Sequence, residues 1–202
     1  MKTIARAKSK VKSGAGGKAR TRAGSDATSA AGLFPELALI KDRALRARVA
    51  ATWQDAIDSG GWKAGDLRRI PFTLLIPGVK FDLVHHTRAV TQTAVRIAET
   101  LRENYGKAIK LDMDILVAGA ILHDVGKLLE YAKQGKVIGK SDFGALLRHP
   151  FSGQALAYKH GLPASVLHMI AYHSKEGDLG KRIVEAIVVH HADFVNFEPL
   201  KG

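Results

Sequence analysis

The chain contains no cysteine, which excludes disulfides, thiolate metal sites and cysteine nucleophiles together. It has no run near the roughly 18 apolar residues that a membrane-spanning helix needs, and its beginning lacks the apolar block of a secretory signal. Both absences suit a cytoplasmic protein that does not enter a membrane. Aromatic residues are scarce, 6% beside an apolar fraction of 46%, so the core must be filled by Ala, Leu, Ile and Val, a composition that leans toward packed helices. Convincing strand-like alternation is missing too, and no internal repeat is visible. The chain therefore reads as all-α, a helical bundle, and its 202 residues allow one domain with one core.

Acids are scarce at one end. Residues 1–30 hold eight Lys or Arg and a single acid, Asp26, so +7 of the +12 formal net charge lies there. The opening "MKTIARAKSKVKSGAGGKARTRAGSDATSAAG" has hardly any large apolar residue and cannot repay its ordering entropy by burial. We read 1–32 as a disordered basic tail and 33–202 as the helical domain. Such a tail can contact nucleic acid or another polyanion, since each cation near phosphate releases counterions. A solubilising extension is the plainer alternative.

Helices are announced by their ends. Pro35 followed by "ELALIKDRALRARVAATWQDAI" predicts one helix with Pro in its first turn, ending near Ser59-Gly60-Gly61. The segment "WKAGDLRRIPFTLLIPGVKFDL" has two prolines and irregular apolar placement, which predicts a packed connector. From Val84 a helical stripe of His86, Val90, Ile97 and Leu101 runs toward Gly106. Asp112 can cap "MDILVAGAILHDV", which is apolar nearly all round and so predicts a central buried helix, with Gly126 as its exit. The stretch "AKQGKVIGKSD" predicts a loop. Pro150 and Pro163 can then open two helices, and "GKRIVEAIVVHHADFVNF" a last one.

The central helix runs straight into His123, Asp124, Gly126 and Lys127, and burying such groups costs several kcal/mol unless a partner compensates. The dipeptide His-Asp is weak alone: nine His and twelve Asp predict about half an occurrence by chance. It gains weight from histidines on neighbouring helices, and a divalent metal explains both. His86 lies on the inward stripe of its helix, whereas His85 aligns with Gln92 and Arg96. His149 precedes Pro150, which biases it to an extended conformation ahead of a helix, where a side chain can enter a cleft. His173 continues the stripe of Val166 and Ile170. Asp193 ends an inward line through Ala186 and Val189. Each has a structural alternative: a satisfied core histidine, a helix cap, a surface aspartate. His190 and His191 are candidates for a supporting role, His160 for the helix dipole, and His168 is off its stripe.

His86, then His123-Asp124 within "HDVGK", then a distant Asp193 resembles the H…HD…D pattern of the HD-domain metal-dependent phosphohydrolases, over roughly residues 80–197. By that resemblance His86, His123, Asp124 and Asp193 would hold one ion, and Asp124 would bridge to a second held by His149 and His173. Imidazole and carboxylate ligands without sulfur suit manganese, iron, zinc or magnesium. A metal pair of this kind clamps a phosphate and acidifies a bound water. Asp124 and Lys127 would then be catalytic, Lys127 as a point charge to a phosphate oxygen. Arg88 and Arg148 are further candidate phosphate contacts, and Glu130 could orient a ligand.

The cyclic-dinucleotide branch of the family pairs adjacent histidines with a Gly-Tyr-Pro element. Here "YHSKEGDLGKR" has neither, so that branch is not expected. "HHT", "HDVGKLLEY" and the place of His149 look more like the HD domains of 3'-to-5' exoribonucleases and their standalone relatives. The implied substrate is a phosphoester of a nucleotide or oligonucleotide, with the basic tail as a nucleic-acid contact. Two other classes stay open: a protein that senses metal or nucleotide without turnover, and an RNA-associated helical protein whose histidines only fill a core.

Overall fold

The computed structural model describes residues 30–201, and the basic stretch at 1–29, where the tail was expected, lies outside the described residues. The chain begins with α1, Ala30–Leu33, followed by a 3-10 turn, Pro35–Leu39. The long helix expected from Pro35 does not continue. Helix α2, Arg43–Ser59, starts afresh at Asp42, whose carboxylate accepts from Ala44 N and Leu45 N. The break has a cause in another element: Lys41 N and Asp42 N donate to the two carboxylate oxygens of Asp114 at 3.0 and 2.8 Å. Amides taken by that side chain cannot extend a helical ladder. Gly60, and Gly61 at φ 69°, close α2 where the glycine pair predicts.

The connector folds into a 3-10 turn, Ala64–Asp66, and a tight loop in which Pro71 bridges Asp82 and Leu83 N bonds Ile70 O. Trp62, Leu67, Ile70 and Phe72 of this segment are buried. Helix α3, Leu83–Tyr105, is capped by Asp82 and stopped at Gly106, φ 51°. Helix α4, Met113–Leu122, is capped by Asp112 and buried from Leu116 to Leu122. It packs against α2 and α3, and against α8 and α9 described below. Its last carbonyls are satisfied by side chains: Trp53 Nε1 donates to Ile121 O at 3.0 Å. That bond and the complete burial of Trp53 tie α2 to α4, a large apolar side chain contributing about 1.5–3 kcal/mol on burial.

A short helix α5, Lys127–Glu130, leads into two strands, β1 Tyr131–Gln134 and β2 Val137–Lys140. They form an antiparallel hairpin in the register Tyr131↔Lys140 to Gln134↔Val137. This corrects the expected loop: Gly135 at φ 63° supplies the positive φ that a two-residue hairpin turn demands, and apolar alternation over strands this short is too brief to show. Then follow α6, Asp142–Leu146, α7, His149–Lys159, α8, Ala164–Tyr172, and α9, Val184–Lys201. The all-α class holds, with the hairpin as an appendage. Two apolar clusters meet across α4, one with α2, α7 and α8, the other with α3 and α9. Among the described residues no helix is long and apolar enough to cross a membrane.

Candidate metal centre

The site is assembled from the end of α4, the start of α7, the end of α8 and inward positions of α3 and α9. At the end of α4, His123 Nδ1 lies 2.7 Å from Ala120 O. A carbonyl only accepts, so Nδ1 carries the proton and, in a neutral ring, Nε2 is bare. That Nε2 is buried with no hydrogen-bond partner. His173, at the end of α8, repeats the arrangement with Ile170 O at 2.8 Å. His149 meets Glu130 Oε2 through both Nδ1 and its backbone N–H, each at 2.7 Å. It is the first residue of α7, and the extended residue ahead of Pro150 is Arg148 at ψ 153°. The expected extended conformation is thus displaced by one position, because the Glu130 carboxylate takes the backbone N–H of His149 where the helix starts.

These imidazoles converge with two carboxylates. Ligand atoms of His86, His123 and Asp193 lie within 4.8 Å of one another, as do those of Asp124, His149 and His173. Asp124 divides its oxygens between the two groups. Oδ2 is 3.3 Å from His123 Nε2 and 3.6 Å from His86 Nε2, while Oδ1 is 3.3 Å from His149 Nε2 and 3.7 Å from His173 Nε2. His86 Nε2 also bonds Asp193 Oδ1 at 3.0 Å. Asp124 is fully buried, whereas the Asp193 side chain is 15% exposed, so the group opens to solvent on the α9 side.

Electrostatics follow from this burial. Desolvation pulls His86 down, and pulls His149 down to about 4 despite the Glu130 hydrogen bond. His123 is also pulled down by burial, but Asp124 and Asp193 outweigh that and raise it. Burial pushes Asp124 and Asp193 up; the Lys127 ammonium and His123 overcome it at Asp124, and the His86 bond does so at Asp193, leaving both carboxyls well below their usual range. Lys127 is itself buried, its Nζ donating to Asp124 Oδ2 and Phe72 O at 2.6 Å each, and despite desolvation Asp124 holds it charged, up to about 12.

The donors fit a divalent cation. With both Nδ1 atoms donating, the Nε2 atoms of His149 and His173 face each other across 3.3 Å, an arrangement that a cation between them suits. His123 Nε2 likewise stands beside two carboxylates, 3.3 Å from Asp124 and 3.9 Å from Asp193. Nitrogen and oxygen donors without sulfur suit first-row divalent ions, and the Nδ1 acceptors fix ring orientation as metal-bound histidines require.

The remaining candidates lie further out. Arg148 Nε is 3.4 Å from Glu130 Oε1 and 3.5 Å from Glu176 Oε1, behind His149. Arg88 Nε is bound to both oxygens of Glu36, at 3.0 and 3.1 Å, and belongs to neither histidine group. His190 Nδ1 donates to His173 O at 2.7 Å, bracing the end of α8, while His191 is exposed. His160 pairs with Asp55 at 2.8 Å and His168 accepts from Ile183 N. Phe72 was not foreseen. Its ring stacks on His86 at 4.4 Å and its carbonyl holds Lys127, contacts that no periodicity in a proline-broken connector announces. Gly126 is needed at the crossing of α5 and α7, where an added Cβ would lie 2.1 Å from His149 O and 2.6 Å from Gly153 N.

The family model described as HD domain matches residues 83–195, the span from α3 into α9. Among curated proteins the chain is similar to a dihydroneopterin 2',3'-cyclic phosphate phosphodiesterase of Methanocaldococcus jannaschii, with 33% identity over 114 residues, 55% of this chain and 44% of that protein. The chain thus spans less than half the length of that relative. No solved structure matches the chain significantly.

Proposed function

The chain belongs to the HD-domain family, and on that premise we propose that it is a metal-dependent phosphohydrolase cleaving a phosphoester of a nucleotide, an oligonucleotide or a related heterocyclic compound. The observation that carries this reading is the carboxylate of Asp124, which turns one oxygen to His86 and His123 and the other to His149 and His173. In this reading His86, His123, Asp124 and Asp193 hold one divalent ion, and Asp124, His149 and His173 the second. Manganese, iron, zinc and magnesium are the candidates. When bound, such a pair supplies a water acidified toward about pKa 7 and neutralises charge on the phosphate.

The chain's own residues do the rest. Asp193, the part-exposed member, stands where substrate enters. Lys127 keeps Asp124 ionised through their 2.6 Å bond and offers its remaining N–H to a phosphate oxygen. Arg148, 45% exposed in its side chain and paired with Glu130 and Glu176, would have to leave those carboxylates to reach a phosphate, and Arg88 is the more remote cation. The relative's substrate is a cyclic phosphodiester, which favours diester over monoester cleavage here. The absence of cysteine suits work in the cytoplasm.

Asp124→Ala should abolish hydrolysis of bis-p-nitrophenyl phosphate with added manganese and also lower the metal content of the purified protein, measured by elemental analysis. Full activity in that variant overturns the mechanism. Stoichiometric metal without turnover in the native chain would instead favour a sensor, a reading to which the deep burial of His123 and Asp124 lends some support.

The basic residues of 1–29 are proposed to contact nucleic acid. A chain lacking them should hydrolyse bis-p-nitrophenyl phosphate as before while its RNA affinity falls and loses much of its salt dependence. Unchanged RNA affinity would remove the tail from the binding surface.

A further inference from the structure

Beside the metal centre lies a slot of about 240 Å³. This is below the roughly 300–1,000 Å³ of pockets that take a whole drug-sized ligand, and it suits one ring system. Three elements wall it: Phe72 and Phe81 of the connector, His85, His86 and Ala89 of α3, and the last turns of α9 around Val195 and Asn196. His86 is common to the slot and the centre. Ala89 stands three residues after His86, and Asn196 three after Asp193, so on both helices the slot continues the face that carries the centre.

The walls are aromatic. Phe72 stacks on His86 at 4.4 Å and 24°, and Phe81 stacks on His85 at 5.0 Å and 26°. Phe81 and His85 are exposed, and neither imidazole nitrogen of His85 has a hydrogen-bond partner among the described residues. One polar side chain is fixed in orientation. Asn196 Nδ2 donates to Ala192 O at 2.8 Å and to Thr93 Oγ1 at 3.1 Å; the Ala192 carbonyl can only accept, so the amide is not flipped and Oδ1 is the atom left to offer as an acceptor.

We propose that this slot holds a planar nitrogen heterocycle of the substrate, with an N–H edge toward Asn196 and a face against the Phe81–His85 pair, while the phosphate lies at the metal centre. The role presupposes the phosphohydrolase reading. It makes Phe81, His85, Ala89 and Asn196 determinants of substrate choice, with no part in bond cleavage. A single stacked ring tightens binding on the order of tenfold.

The test uses the full chain and two measurements. The first is binding of guanosine, which carries the ring without the phosphate, by calorimetry or ligand-observed NMR. The second is kcat and KM with manganese for guanosine 2',3'-cyclic phosphate and for glycerol 1,2-cyclic phosphate, a cyclic ester of the same kind without the base. Ala89→Leu fills the slot, and Phe81→Ala removes a stacking face at an exposed position where folding is not threatened; melting curves verify both. Guanosine should bind the native chain and weaken on the order of tenfold in each variant. The KM advantage of the nucleotide over the base-free ester should shrink in both variants with its kcat little changed. Guanosine that fails to bind at millimolar concentration, or binds all three proteins alike, overturns the slot. Hydrolysis of neither ester, with guanosine binding still sensitive to Ala89 and Phe81, would sink the hydrolase and support the slot; hydrolysis of both with equal KM would do the reverse.

Discussion

Glu130 shows how much one carboxylate can organise. Its Oε2 accepts from both the backbone N–H and Nδ1 of His149 at 2.7 Å, and Arg148 lies beside its other oxygen. Desolvation would push this carboxyl up, yet His149 holds it below its ordinary value. It therefore stays charged and keeps Nε2 of His149 turned to Asp124. A Glu130→Gln variant keeps the size but loses the charge and one accepting oxygen, and should weaken metal binding about 10- to 100-fold. Competition with a chromophoric chelator measures this, and activity should recover at saturating manganese. Unchanged affinity would mean that His149 is oriented by something else.

The sequence makes part of this geometry readable. The helical stripe distinguishes inward His86, 3% exposed, from exposed His85, because one residue of rotation carries a side chain from core to solvent. The stripe of α8 likewise leads inward to His173. What stayed hidden depends on contacts across the chain: Phe72 reaches Lys127 over 55 positions, and for Glu130, a candidate to orient a ligand, the partner is His149, 19 positions on. Local pattern carries no record of either.

At the scale of elements, local chemistry makes the helix ends at Asp112, Gly60 and Gly106 legible, while the caps at Asp42 and Asp82 were not expected. The interruption between Pro35 and Arg43 is different in kind, since it is imposed by Asp114 of α4. Helices α2 and α7 are joined by another such pairing. Asp55 lies 2.8 Å from both Lys159 Nζ and His160 Nε2, and those hydrogen bonds, Lys159 first, lower its carboxyl from 3.8 to about 2.

A carboxyl depressed in the fold contributes stability above its unfolded pKa and loses it as pH falls through the folded value. For Asp55 that window runs from about 4 down to about 2. The partners are partly solvated, so the contribution is about 1 kcal/mol or less. Asp55→Asn should then lower Tm by about 2–4 °C at neutral pH. Thermal melts as a function of pH should show that difference closing toward pH 2; a difference independent of pH would assign the loss to packing instead.

For the whole molecule, the centre binds together parts that the apolar clusters hold separately. An ion that binds the folded chain and not the unfolded one stabilises it by about 2.7 kcal/mol at a hundred times its Kd. Chelation with EDTA should therefore lower Tm by about 5–10 °C in a domain of this size, and added manganese should restore it. Asp124→Ala should respond to neither. Calorimetry with and without chelator measures the effect, and a Tm indifferent to metal in the native chain would place the cation elsewhere.

The six converging groups come from α3, the end of α4, the start of α7, the end of α8, and α9, spanning residues 86 to 193. A cation lodged among them has no single hinge through which to escape, because every helix that frees one donor leaves it gripped by the others. Its departure would need these donors to let go in succession past the part-exposed Asp193, so the half-life of bound metal, followed by isotope exchange, would report how often they part together.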